Sequence, residues 1–222
     1  MRDTGVFIAI EGPIGAGKTT LANLLNEHLG YTLLREIIEE NPFLSKFYTN
    51  IEEYALQTEA FFLFNRVKQL EDIEKNVLSK SQGVVSDYHI VKNLIFAGIT
   101  LDNNQFHRYK QVYNIFVNDL PQPDIVIYLN SNTDTLMKRI ASRDRSFERQ
   151  MDRNYIENLR NEYTYYFNPL SIKHNFTGKA PLIIEVDNSN LDFLNNKSDR
   201  KYIIDKVEEA ILSLGGKTEC SD

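Results

Sequence analysis

Several features are scarce in this chain of 222 residues, and each scarcity argues against a class of protein. A single cysteine, Cys220, cannot form an internal disulfide, and the beginning of the chain has no signal-peptide pattern, so we expect a cytosolic protein. No apolar run approaches the ~18 residues that cross a bilayer, which argues against a membrane protein. The four histidines show no paired ligand spacing, so the sequence makes no case for zinc.

Positive charge is also in short supply. The chain has 25 Lys and Arg against 31 Asp and Glu, a net charge of -6, with a pI near 5.3. Proteins that track a nucleic-acid backbone carry a basic surface, so we expect a small nucleotide partner and no nucleic acid. There is no internal repeat. The length suits one large α/β domain spanning residues 1–222, with a frayed tail at about 214–222.

A glycine-rich motif is the most specific feature that the sequence does contain. Residues 12–19 read Gly-Pro-Ile-Gly-Ala-Gly-Lys-Thr, which fits G-x-x-x-x-G-K-[ST]. The apolar run 6–10 before it suits a buried strand, and residues 20–25 after it have helical spacing. Loop amides and a helix N-terminus bind phosphate, Lys18 neutralises it, and the Thr19 hydroxyl suits Mg²⁺. We therefore predict a nucleoside triphosphate bound by Gly12, Gly15, Ala16, Gly17, Lys18, Thr19 and Thr20.

Short apolar runs alternate with helical stretches along the rest of the chain. The runs lie at 6–10, 31–37, 83–87, 124–129 and 181–186. The helical stretches lie at about 52–80, 102–120, 154–167 and 198–213. This alternation predicts an α/β fold with a five-stranded parallel sheet covered by helices on both faces.

Polar residues that follow the apolar runs are the candidates for chemistry, because ligands bind beyond the carboxyl ends of parallel strands. Glu36 follows the second run and Asp87 the third, and either could accept the proton of an attacking hydroxyl. Arg139, Arg143 and Arg145 could supply mobile positive charge. The arginine-rich segment at about 143–152 is a candidate lid over phosphates.

Four motifs, in this order and spacing, resemble the deoxyribonucleoside kinase family, and within it the bacterial deoxyguanosine kinases. They are residues 12–19, residues 35–43 followed by 46–48, residues 86–89 leading to 95–97, and residues 139–148. The resemblance covers nearly the whole chain. It implies a P-loop kinase fold, a homodimer, and a reaction that uses Mg²⁺ with ATP or another nucleoside triphosphate.

The resemblance also implies roles for individual residues. Glu36 would be the general base for the substrate 5′-hydroxyl, while Thr19 and Asp87 would organise Mg²⁺ and its waters. Tyr48 and Glu148 would hold the sugar 3′-hydroxyl. The phosphates would be contacted by the arginines Arg139, Arg143 and Arg145.

One position departs from the family pattern. Tyr88, followed by His89, stands where many members of the family carry an arginine after the third strand. Positive charge near the acceptor oxygen must then come from Lys18 and the lid arginines, or from another cation.

Two charged residues on the long predicted helix are candidates for reading the base. Glu59 falls where many relatives carry glutamine, and a carboxylate can accept both N1–H and N2–H₂ of guanine. Arg66 lies on the same helix face and suits guanine O6 and N7. Asn93 could orient Arg66 or touch the base. Gln57 is the other candidate reader, and Glu59 and Arg66 could instead be surface residues of an amphipathic helix.

These observations favour transfer of a γ-phosphoryl group to the 5′-hydroxyl of a purine deoxyribonucleoside. Deoxyguanosine is the first choice; deoxyadenosine or a broad range of deoxynucleosides is the alternative. A nucleoside monophosphate kinase is a further alternative, for which only Arg35 and Lys46 are spare basic residues near Glu36. A GTPase switch is suggested by residues 196–199, which fit N-K-x-D, but no D-x-x-G occurs. Ser198 and Asp199 also suit the N-terminal cap of the last helix.

Overall fold

A five-stranded parallel sheet forms the centre of the molecule. The computed structural model describes residues 5–149, 151–168 and 180–215. The strands are β1 (Phe7–Glu11), β2 (Thr32–Leu34), β3 (Val84–Ser86), β4 (Ile125–Asn130) and β5 (Leu182–Asp187). Their order across the sheet is β2-β3-β1-β4-β5, and every neighbouring pair is parallel. The predicted α/β fold with five parallel strands is therefore confirmed.

Helices cover both faces of the sheet. They are α1 (Lys18–Leu29), α2 (Leu44–Phe47), α3 (Ile51–Asn76), α4 (Lys92–Thr100), α5 (Asn103–Val117), α6 (Thr133–Arg143), α7 (Arg153–Phe167) and α8 (Lys197–Ser213). Single 3₁₀ turns lie at Leu78–Lys80 and Ser146–Glu148. All five residues of β1 and the first five of β4 are buried, as expected for strands covered on both faces. The exception to their apolar character is Glu11, whose carboxylate accepts from the backbone amides of Gly12 and His89.

The strand order places a crevice beside β1. The chain runs from β1 out to the edge strand β2, returns through β3, and then crosses to β4 on the other side of β1. Such a reversal separates the loops that leave two neighbouring strands, and ligands bind in the resulting gap. The glycine-rich loop leaves β1 at this point.

Several predicted boundaries were wrong. The run 31–37 is a strand only over Thr32–Leu34, because the amide of Glu36 donates to the Asp87 carboxylate at 2.7 Å and so leaves the sheet. The predicted helix 52–80 ends at Asn76, and 102–120 ends at Val117. Helices α2 and α4 were not predicted, since their apolar positions are too few or too continuous to show a helical period.

The cap of the last helix also differs from the prediction. Asn196 caps α8, and its side-chain oxygen accepts from the amides of Ser198 and Asp199. Ser198 and Asp199 are thus the capped residues rather than the cap. Of the predicted tail and lid, residues 216–222 with Cys220, and Gln150, lie outside the described residues. Among the helices described, no segment has the length and apolar character needed to span a membrane.

Candidate active site

The glycine-rich loop is shaped by close backbone contacts. Gly15 has φ +83°, and a Cβ there would lie 2.8 Å from the carbonyl oxygen of Leu136. Gly12 has φ +152°, and its Cβ would lie 2.5 Å from the carbonyl oxygen of Leu129. Only glycine fits such positions without strain. The ammonium of Lys18 donates across the loop to the carbonyls of Gly12 at 2.6 Å and Pro13 at 2.9 Å.

A cavity of about 730 Å³ opens in front of this loop, and we call it the active-site cavity. Its size is within the range of small-molecule sites. The structure brings most of the predicted site residues to its wall: Gly15, Ala16, Gly17, Lys18, Thr19, Thr20, Glu36, Tyr48, Glu59, Arg66, Asp87, Arg139, Arg143, Arg145 and Glu148. Gly12 and Asn93 do not line it; Asn93 is fully buried behind Arg66.

Asp87 connects the glycine-rich loop to Glu36. One of its carboxylate oxygens accepts from the Thr19 hydroxyl of the loop at 2.7 Å. The other accepts from the backbone amide of Glu36 at 2.7 Å. A single buried carboxylate therefore fixes the distance between the phosphate-binding loop and the candidate base.

Glu36 is held by two cations. Lys92 donates to its Oε2 at 2.7 Å, and Arg66 donates to its Oε1 in a short contact. Burial alone would raise the pKa of Glu36, but the charges and hydrogen bonds of Lys92 and Arg66 outweigh it and lower that pKa to about 2. Glu36 is thus ionised at neutral pH, the state that a proton acceptor needs.

Lys18 experiences the opposite balance. Burial is the main cause that lowers its pKa, followed by repulsion from Lys92, and together they bring it to about 7. The carboxylates of Glu11, Glu36 and Asp87 act against this shift. Polyphosphate in the loop would add negative charge beside Lys18 and favour its charged form.

The candidate base-reading residues are both buried, so the surface-helix alternative is excluded. Glu59 is 2% exposed and Arg66 is 3% exposed, although both line the active-site cavity. The competing reader, Gln57, is exposed on the opposite side of α3. Burial is the main cause that raises the pKa of Glu59 to about 7, against attraction from Arg66 and a hydrogen bond from Thr100.

Arg66 does not pair with Glu59; it bridges Glu36 to Asn93. Its Nη1 donates to Asn93 Oδ1 at 2.7 Å, and Asn93 in turn donates to the Tyr109 hydroxyl at 2.8 Å. The Tyr109 hydroxyl donates to the backbone carbonyl of Glu59 at 3.1 Å. Asn93 therefore orients Arg66 without touching the cavity.

The arginines of the predicted lid differ in what they contact. The guanidinium of Arg143 forms a bidentate pair with Glu148, and Arg145 lies 3.8 Å from the same carboxylate. Beside them the ring of Phe147 stacks on that of Tyr48, with centroids 6.2 Å apart. In this state Arg143 is directed at Glu148, the candidate sugar ligand.

Arg139 is tied to the loop that follows β5. It donates to Asn188 Oδ1 at 3.1 Å and to the carbonyl of Leu191 at 2.9 Å. Asn188 is fully buried, and its amide donates to the carbonyl of Ala16 in the glycine-rich loop at 2.6 Å. Asn188 thus joins the phosphate-binding loop to the segment 188–195, part of which lines the cavity.

Sequence reasoning missed three of these residues. Lys92, Thr100 and Asn188 each contact a predicted site residue, yet none belongs to a motif that specifies its role. A signal for Lys92 was present: a lysine interrupts the apolar run 90–97 four residues after Tyr88. For Asn188 the signal was its position directly after β5, at the carboxyl end of the sheet.

The residues that fit N-K-x-D serve a structural purpose. Asn196 caps α8, and Asp199 accepts from the backbone amide of Asp192 at 2.8 Å. Both side chains are therefore engaged by nearby backbone, which accounts for the motif without a guanine nucleotide.

Comparison with known proteins agrees with this geometry. The family profile described as "Deoxynucleoside kinase" matches residues 8–212. Deoxyguanosine kinase of Bacillus subtilis (strain 168) is 44% identical over 211 residues, covering 95% of this chain and 100% of that protein. Deoxyadenosine kinase of Lactobacillus acidophilus is 28% identical over 218 residues, covering 94% and 97%.

Solved structures of P-loop kinase fold are similar as well. Deoxyadenosine kinase from M. mycoides with bound dATP has a TM-score of 0.77 at 27% identity, covering 91% of this chain and 99% of that chain. The same enzyme with bound dCTP has a TM-score of 0.76 at 28% identity, covering 92% and 100%. With the glycine-rich loop, the buried carboxylates and the full-length family match, this chain belongs to the deoxynucleoside kinase family.

Proposed function

We propose that the protein transfers the γ-phosphoryl group of a nucleoside triphosphate to the 5′-hydroxyl of deoxyguanosine. The observation that carries the proposal is the placement of two carboxylates with buried side chains, Glu36 and Glu59, in the same cavity as the phosphate-binding loop. The first suits a proton acceptor and the second a guanine reader. The relative with 44% identity is a deoxyguanosine kinase, which supports guanine as the base.

The reaction divides the cavity into donor and acceptor sides. Amides of the glycine-rich loop and Lys18 hold the polyphosphate of the donor, for which ATP is the first choice. The 5′-oxygen attacks the γ-phosphorus. The bond between the γ-phosphorus and the bridging oxygen breaks, and the nucleoside diphosphate leaves. Glu36 receives the hydroxyl proton. Arg139, Arg143 and Arg145 are proposed to contact the phosphates once the lid closes.

Thr19 and Asp87 are proposed to hold Mg²⁺ together with phosphate oxygens and water. The two side-chain oxygens lie 2.7 Å apart at the edge of the loop, and Mg²⁺ prefers such oxygen ligands. When bound, the ion supplies positive charge for the β- and γ-phosphates.

The purine and sugar would occupy the deep end of the cavity. Glu59 would accept from guanine N1–H and N2–H₂, and Arg66 would donate to O6 or N7. Tyr48 and Glu148 are proposed to hold the 3′-hydroxyl. Glu36 lies close enough to both Lys18 and Glu59 to influence their pKa values, which suits a 5′-oxygen placed between phosphate and base.

Deoxyadenosine is the second candidate acceptor, since the M. mycoides and L. acidophilus relatives are deoxyadenosine kinases. The raised pKa of Glu59 adds to this, because a protonated carboxyl can pair with adenine N1 and N6. A monophosphate acceptor has less support. Arg35 donates to Asn23 and Lys46 lies over the Tyr54 ring, and neither lines the cavity.

We also infer that two copies pair through the outer faces of α3 and α5. Apolar side chains are exposed there, among them Ile115 at 74%, and the exposed rings of Phe64 and Phe116 meet edge to face. Such a face suits burial against a second copy. A single domain, supported by the continuous sheet, and a cytosolic location, supported by the single cysteine, complete the proposal.

A substrate panel tests the proposed function. The wild-type protein, Mg²⁺ and labelled ATP are combined with each purine and pyrimidine nucleoside, in ribo and deoxy forms, and with the monophosphates. We expect deoxyguanosine to give the highest kcat/KM. A higher value for another acceptor would contradict the proposal, and hydrolysis without any acceptor would favour a switch.

Glu36→Gln tests the base within the same assay. Loss of the proton acceptor is expected to lower kcat by about 10²- to 10⁴-fold. Glu39→Gln, at an exposed position three residues away, is the matched control and should retain wild-type turnover.

A further inference from the structure

Among the described residues, Lys92 is the cation that contacts Glu36 from the first position of a helix. It is the first residue of α4 and is 6% exposed, and its ammonium lies 2.7 Å from Glu36 Oε2. Arg66 already occupies the other oxygen of the same carboxylate. Glu36 thus has two cations for one negative charge.

The position of Lys92 is costly for a residue with only a structural role. A helix N-terminus carries partial positive charge and disfavours a lysine, and burial disfavours the charged ammonium further. Lys92 and Arg66 together face two carboxylates, Glu36 and Glu59. When Glu36 accepts a proton, Arg66 keeps its bond to Asn93, whereas the ammonium of Lys92 on the cavity wall loses its anionic partner and can bind another anion.

The local fold explains why Lys92, and not its neighbour Tyr88, faces the cavity. Tyr88 is 1% exposed, and its hydroxyl donates to Gln69 at 3.1 Å, on the far side of Arg66. The turn after β3 closes through the amide of Lys92, which donates to the carbonyl of His89 at 3.1 Å. This turn places the side chain of Lys92 on the cavity wall.

We propose that Lys92 is a catalytic residue that binds the transferred phosphoryl group on its acceptor side. The inference rests on the proposed function. As the 5′-oxygen bonds to the γ-phosphorus and the bridging P–O bond breaks, the hydroxyl proton moves to Glu36. Glu36 then loses its charge, and the ammonium of Lys92 turns from it to an oxygen of the new phosphate ester. Lys18 holds the departing diphosphate on the opposite side.

Steady-state kinetics of Lys92→Met test this role. Methionine keeps the length and the apolar stem but removes the charge. We expect kcat to fall by about 100-fold or more while KM for the nucleoside changes by less than about threefold, because the contact forms only as phosphate is transferred. Lys92→Arg should recover at least about a tenth of wild-type kcat. Lys75→Met, at an exposed position on α3, is the control and should match wild type.

Affinity for product separates this role from a purely structural one. A lysine that contacts the new phosphate predicts that Lys92→Met binds the nucleoside monophosphate at least about tenfold more weakly, with unchanged affinity for the nucleoside. A lysine that only positions Glu36 predicts no such difference. Equal changes for nucleoside and monophosphate, or a kcat within about threefold of wild type, would overturn the proposal.

Lys92→Gln is the second variant, used if Lys92→Met does not fold. It removes the same charge while keeping a donor for Glu36, and its kcat and its affinity for the monophosphate are measured in the same way. Both variants are measured with whichever nucleoside the wild-type protein phosphorylates best. A wild-type preference for another acceptor would therefore count against the proposed function, whereas the ratio of variant to wild type judges Lys92.

Discussion

Glu59 is the residue on which the choice of purine depends. Its carboxylate is buried in the cavity and offers only acceptors, which match the two adjacent donors of guanine. In Glu59→Gln the amide would turn a donor toward one of guanine's own donors. Leaving that buried group unpaired should lower the ratio of kcat/KM for deoxyguanosine to that for deoxyadenosine by about 10- to 100-fold. Gln57→Glu, on the exposed side of α3, is the matched control, and an unchanged ratio in Glu59→Gln would discard the assignment.

The same carboxyl predicts a dependence of base preference on pH. Burial raises the pKa of Glu59 to about 7, and the charged groups around it are Arg66, Lys92 and Glu36. The group is ionised above this pKa and protonated below it. The deoxyguanosine to deoxyadenosine ratio of kcat/KM should therefore rise as pH increases from about 6 to about 8, since only the ionised form accepts twice.

Taking the ratio removes pH effects that are common to both acceptors, such as those on the triphosphate. In Glu59→Gln the ratio should be flat across the same range, because the amide does not titrate. A wild-type ratio that stays constant or falls with pH would show that Glu59 does not read the base.

Among single residues, the site residues that belong to motifs were predicted, and those whose role depends on a contact between distant parts of the chain were missed. Glu36, Asp87 and Lys18 follow from strand ends and the glycine-rich motif. Lys92 lies within an apolar stretch, and its approach to Glu36 depends on a turn that no local pattern specifies. Arg66 was predicted as a base reader, and the structure adds a contact with Glu36 that spacing along one helix cannot reveal.

Single elements have boundaries that depend on capping, and the cap of α8 gives a test. The Asn196 side chain accepts from the amides of Ser198 and Asp199. Asn196→Ala should lower the free energy of unfolding by about 1 kcal/mol, because two helical amides lose their acceptor. Ser198→Ala removes an exposed hydroxyl and should change it by less than about 0.5 kcal/mol. Urea unfolding of both variants measures the difference; a larger loss for Ser198→Ala would restore the cap expected from sequence.

Among the elements, long helices and buried strands were predictable and short ones were not. The 26-residue helix α3 was predictable from its repeated apolar positions, although the prediction extended to residue 80 and the helix ends at Asn76. Helix α2 has four residues, too few for a period to be visible. Strand β2 stops at Leu34 because Asp87, distant in sequence, captures the amide of Glu36.

The oligomeric state is a property of the whole molecule. Ile115 projects from the outer face of α5 with 74% of its surface exposed, beside Phe116 and Val112. If this face joins two copies, Ile115→Glu buries a charge in the interface and should convert the dimer to a monomer in sedimentation experiments. Leu212→Glu, on α8 and 59% exposed, is the control and should leave the mass unchanged. A monomeric wild-type protein would contradict the inferred pairing.

The α/β class with a five-stranded parallel sheet was predictable because strands alternate with helices along the chain. The strand order β2-β3-β1-β4-β5 was not predicted, and it places β1 at the centre, with the cavity in front of the loop that leaves its carboxyl end. The sequence does not, by contrast, reveal how Asn188 after β5 reaches Ala16 in that loop. Contacts of this kind depend on how the layers pack, which is decided by the whole core.

The pairing of Arg143 with Glu148 has a consequence for nucleoside drugs. If the 3′-hydroxyl of a substrate competes for Glu148, its arrival frees the arginine to swing toward the triphosphate, so sugar recognition releases the charge that chemistry requires. Chain-terminating analogues that lack this hydroxyl would leave the arginine engaged. Such prodrugs should be activated slowly even when their base fits well.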